Sequence, residues 1–158
     1  MNVGYDERNN EFSLTLDRKK WFKSVTDDNS SRLEIKLPDE VTIDLNNKFK
    51  AGSFQLEVGG LALENFDLRN LAGEVRVDFR QSNKIEMKSL NIEVKVGETI
   101  LRHLGNARFS DGNINAGIGE LQVDLSGEGR KDAAVEIDLD VGSTIIQLPT
   151  DQGIKLLS

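Results

Sequence analysis

Over residues 41–149, apolar and polar residues alternate in short runs, and the runs change parity at a recurring glycine. Before the glycine the apolar residues sit at odd offsets: Phe66, Leu68 and Ala72; Leu90, Ile92, Val94 and Val96; Ile114, Ala116 and Ile118; Val135, Ile137, Leu139 and Val141. After it they move to even offsets: Phe54, Leu56 and Val58; Val75, Val77 and Phe79; Leu121, Val123 and Leu125; Ile146 and Leu148. A period of two marks strands with one buried face. The parity flip skips the glycine and the Glu or Ser after it, as a corner must if the strands on both sides are to face one core. Val77, Leu101, Val123 and Ile146 share offset +4, so one interior column is expected from them.

The glycines that set this phase are Gly52, Gly73, Gly97, Gly119 and Gly142, spaced by 21, 24, 22 and 23 residues. Such a period belongs to stacked repeat architectures. A shorter apolar pair follows in several repeats (Leu61 and Leu63, Ile85 and Met87, Ala107 and Phe109), and the polar stretches 81–84 and 126–132 read as loops. The pattern predicts an all-β, three-sided β-solenoid (β-helix) of about five coils without a long helix, each coil lying about 4.8 Å from the next. The alternative is an antiparallel sandwich, because strand-turn-strand text also suits hairpins.

The glycine phase is absent from residues 5–45, which carry strand-like text at 12–16, 32–37 and 41–45, with Trp21-Phe22 and a polar loop between the first two. A solenoid needs protected ends. The expected organisation is therefore a capping segment over 1–40 with Trp21 as a lid, repeats over 41–149, and a tail or cap over 150–158. In the tail, Ile154, Leu156 and Leu157 form either a short cap or a sticky edge.

Composition narrows the chemistry. With 158 residues the chain is one ordinary domain. A formal charge of −7 repels phosphate polyanions, so no nucleic-acid partner is expected. There is no cysteine and one histidine, which removes thiolate zinc sites and cysteine nucleophiles and leaves little for histidine chemistry. No run approaches the roughly 20 apolar residues of a spanning helix, so no membrane span is expected in this chain.

The text of residues 113–127, Asn113-Ile114-Asn115-Ala116-Gly117-Ile118-Gly119-Glu120 onward, with Val135 to Ser143, resembles the toast-rack and adhesin-like β-solenoid domains of bacterial cell-envelope proteins. These include relatives of the cell-wall-active antibiotic response proteins. The resemblance covers about residues 41–149. It implies a solenoid fold, an envelope context and a sensing or regulatory role, and it carries no catalytic residues with it.

Glu74, Glu98 and Glu120 share the corner offset +1, so stacked coils would align them in a surface column between Ser53 and Ser143. Such a ladder of hard oxygens could hold a cation. The preferred reading is a solvated corner with no tight metal, since one column supplies one side chain per coil. Asp78 with Asp124, and Asp138 with Asp140, are outward charges suited to solubility and edge protection. His103 either faces the core as a neutral ring or is turned out by a one-residue bulge that puts Leu104 inside. The Val58-Gly59-Gly60-Leu61 stretch lacks the setting of a phosphate loop. Most phenylalanines lie on inward phases, and Tyr5 and Trp21 are the candidate exposed rings. No cofactor is expected.

The expected function is a non-enzymatic envelope module, for binding, sensing or adhesin-like contact, that presents a flat solenoid face to an unknown protein or polymer partner. A self-assembling scaffold, with homo-oligomers formed through end coils, is the alternative. A polysaccharide-degrading β-helix enzyme ranks last. Placement is extracytoplasmic if a leader or anchor was trimmed from the chain, and cytoplasmic otherwise.

Overall fold

The computed structural model describes residues 2–6, 11–15, 34–129 and 132–150, together with 153, 155 and 157. The chain divides into two compact units, Met1–Ile35 and Lys36–Ser158. In the first, β1 (Asn2–Asp6) and β2 (Glu11–Thr15) form an antiparallel pair, running from Asn2 opposite Thr15 to Asp6 opposite Glu11. Of the segment expected as a strand at 32–37, residues 34–37 are not in a strand. Trp21 and its expected role as a lid lie outside the described residues, as do Ile154 and Leu156 of the tail; Leu157 is exposed.

The second unit is a parallel β-solenoid. Its strands are β3 (Thr42–Phe49), β4 (Gly52–Glu57), β5 (Ala62–Asn70), β6 (Gly73–Asp78), β7 (Met87–Arg102), β8 (Phe109–Asp124) and β9 (Ala134–Gln147). Every pairing among them is parallel, which rules out the antiparallel sandwich. One side of the stack runs β3, β5, β7, β8, β9, and the next side runs β4, β6, β7, β8, β9, with the last three strands continuing through the corner. The glycines align in register as Gly52, Gly73, Gly97, Gly119 and Gly142.

Two constraints select glycine at that corner. At Gly97 and Gly119 the backbone has φ of 134° and 143°, a region that residues with a Cβ rarely adopt and only under strain. A methyl on Gly119 would also collide with the carbonyl oxygen of Gly97 in the coil before it. Repeating the same residue at the same phase is thus the condition for stacking backbones this closely.

The corner is wider than the parity flip predicts. Val94 and Thr99 both face the core, but Val96, Ile118 and Val141, expected inside, are 48%, 56% and 60% exposed. The chain turns over four residues, −2 to +1, so the −1 side chain is carried to the convex edge. A β-branched residue suits a strand's outer face as well as its inner one, which is why its identity misleads here.

Inside, Leu56, Val77, Leu101, Val123 and Ile146 stack as the +4 column. Val77, Leu101 and Val123 are buried, whereas Ile146 in the last coil is 43% exposed. Phe66 and Phe79 meet edge to face within the same core. The third side is made of turns, including a 3-10 turn at Leu104–Ala107, and is tied by asparagines. Asn83 accepts from the Leu63 N–H at 2.9 Å and donates to the carbonyls of Leu63 at 2.7 Å and Ile85 at 2.9 Å. Asn106 likewise donates to the Phe79 carbonyl at 2.9 Å.

Candidate functional site

The solenoid register sets Ser53, Glu74, Glu98, Glu120 and Ser143 side by side along the corner, as the shared offset predicts. Arg76 lies two residues after Glu74 on the same outer face. Its guanidinium contacts the Glu74 carboxylate and lies 3.9 Å from Glu98. The Glu74 hydrogen bond is the main reason the Arg76 guanidinium holds its proton more tightly than usual. Ser53 donates to Glu74 at 3.4 Å. The carboxylates run in line with the stack, and among the described residues no three acidic or histidine side chains converge as a metal-binding group.

A second cluster forms one corner further on. Leu104 is fully buried, and His103 adopts a left-handed backbone with φ of 54°, so of the two alternatives for this histidine the bulge is the one adopted. The ring Nδ1 lies 2.8 Å from Asp78 Oδ1. The His103 N–H donates to Asp124 at 3.4 Å, and the Ser126 N–H donates to the same carboxylate at 2.8 Å. Burial pushes the Asp124 carboxyl up, but the hydrogen bonds from Ser126 and from the His103 backbone outweigh it and hold the group below the usual aspartate range. Arg80 approaches Asp78 and Glu57, each at 3.7 Å. The sequence pairs Asp78 with Asp124 by offset but assigns His103 no carboxylate partner. The missing signal is the bulge, which moves His103 to the outer face next to that column.

A polar surface covers the outer face of the first side. Asn65 donates to Asp44 at 2.7 Å, and Ser89 donates to Asn65 at 2.9 Å, a ladder that crosses three coils. Beside it Asn46, Asp67, Asn91, Asn113 and Glu136 stand in one register column. Two shallow depressions open there and share Asn91 and Asn113. One is bordered by Ser89, Asp111 and Glu136, the other by Asp67, Arg69, Glu93 and Asn115.

The family model for the N-terminal domain of toast_rack (Toast_rack_N, DUF2154) matches residues 1–88 and again 82–147. The chain belongs to this family. No curated protein and no solved structure matches it. The match begins at residue 1, whereas the resemblance read from the repeats begins near residue 41, so the matched residues include the segment before the glycine phase. Among the described residues of this domain, no helix is long and apolar enough to cross a membrane.

Proposed function

We propose that this toast-rack domain is a non-catalytic module of the bacterial cell envelope that binds an extended protein or polymer partner along the outer face of its first side. The observation that carries this reading is the pair of adjoining depressions floored by Asn91 and Asn113. Each coil repeats an amide or carboxylate on that face at about 4.8 Å, so a partner laid along the stack meets the same donors and acceptors again and again. An open, shallow surface favours a long partner over a small molecule, which a concave pocket would enclose. The face is acidic and rich in amides, so it suits hydroxyls, amides and amines and repels phosphate.

The non-catalytic reading is supported by the corner carboxylates Glu74, Glu98 and Glu120, which run in line along the stack instead of forming the facing pair that glycoside hydrolysis uses. The His103–Asp78 contact fits a structural role, because it closes the turn into the third side. An extracytoplasmic place, with a sensing or adhesin-like role, agrees with the envelope context of the resemblance.

Binding to soluble peptidoglycan strands, with a phosphate-rich wall polymer as control, tests the face. Asn91→Ala with Asn113→Ala should weaken strand binding about tenfold or more, as loss of several polar contacts predicts. Glu98→Gln on the corner should leave binding unchanged. Equal binding by the asparagine double variant, or preference for the phosphate polymer, would reject the assigned face.

A further inference from the structure

The two ends of the stack differ in charge. At offset −4 the register runs Lys48, Arg69, Glu93, Asn115, Asp138, from basic in the first coil to acidic in the last. At offset −2 the first coil carries Lys50 and the last Asp140. Lys48, Lys50, Asp138 and Asp140 are all exposed. Among the described residues β9 is an outermost strand of the sheet, as are β3 and β4 at the opposite end. Along β9 Ile145 is 64% and Ile146 43% exposed, while Val135, Ile137 and Leu139 are half-buried against the core. A long strand edge with exposed apolar side chains is a template for another strand.

We infer that the last coil of one copy receives the first coil of a second copy, head to tail, in the register that already joins the coils within the chain. In that register Asp138 meets Lys48 and Asp140 meets Lys50, continuing the cross-coil pairing that Arg69 makes with Glu93 at 3.9 Å. The interior columns continue too, with Ile146 on Leu56 and Leu139 on Phe49, and Gly142 receives Gly52 at the corner. No like charges oppose along the junction: Glu136 falls against Asn46, and Gln147 against Glu57. Because the joined surfaces are different, the contact does not close on itself and repeats as a rod.

Sedimentation velocity from micromolar to millimolar concentration tests this. The chain should grow from monomer through dimer to longer species, less readily at high salt. Reversing one end, either as Asp138→Lys with Asp140→Lys or as Lys48→Asp with Lys50→Asp, should weaken association about tenfold or more. An equimolar mixture of the two variants should recover it, because every reversed end then faces an opposite charge. Melting temperatures equal to that of the parent chain would show that these exposed substitutions leave the fold intact. A monomer at every concentration would overturn the inference. So would a closed dimer indifferent to Lys48→Asp with Lys50→Asp, the mark of two β9 edges meeting each other, or a mixture that fails to recover. Asn91 and Asn113 take no part in the junction, so failure here is distinguishable from failure of the binding face.

Discussion

Leu101 in β7 and Ile146 in β9 occupy the same place in their coils, yet one is 1% exposed and the other 43%. Both are aliphatic, both follow their corner glycine by four residues, and both point inward. What separates them is that Leu101 has a coil on either side, and Ile146 has a coil on one side alone among the described residues. Burial in this molecule is a property of the stack. The stability of a coil is accordingly set as much by its neighbours as by its own sequence.

The glycine corner should show the contrast most strongly. Gly119 and Gly52 have nearly the same φ, 143° and 140°, but a methyl at Gly119 meets backbone of the preceding coil, while one at Gly52 meets only the Phe54 ring. Gly119→Ala should therefore cost more than about 3 kcal/mol or prevent folding, against about 1–3 kcal/mol of backbone strain alone for Gly52→Ala. Equal losses in chemical denaturation would mean that strain, not stacking, selects the glycine.

Next comes the column itself. Leu101→Ala should lower unfolding free energy by about 2–5 kcal/mol, whereas Ile146→Ala should cost about 1 kcal/mol or less because half its contacts are missing already. Matching values would show that the last coil is covered in solution. On the third side, Asn83→Ala strands the Leu63 N–H and C=O and should cost about 1–3 kcal/mol. Were hydrogen exchange at Leu63 unaltered in that variant, the asparagine would not be the tie that holds this turn.

The smallest effect is expected from acid. The Asp124 carboxyl is held below its ordinary value of 3.8, so it binds fewer protons folded than unfolded near that pH. Its contribution is present in full above 3.8 and is lost as pH falls through the lower folded value. Thermal melts between neutral and strongly acid pH should show a smaller acid-induced drop for Asp124→Asn than for the parent chain. A parallel pH profile for the two would remove Asp124 from the account of the turn.

The contrast between middle and end coils also explains what could be read in the chain before its structure. Alternation along 65–70, 90–94 and 135–139, and the five glycines in phase, specify strands, a corner and a stack, because these depend on residues close together in sequence and on one steric rule repeated at each coil. The Glu74, Glu98, Glu120 column followed from the same phase. The outward turn of Val96, Ile118 and Val141 did not, since the width of a corner depends on how far the backbone bends between two packed sides. Nor did the His103–Asp78 contact or the ties from Asn83 to Leu63 and from Asn106 to Phe79: these partners lie 25, 20 and 27 residues away and meet only after the coils have stacked. Local pattern carries the repeat; partners brought across coils, and the exposure of each coil, are settled by packing among neighbours that no single repeat contains.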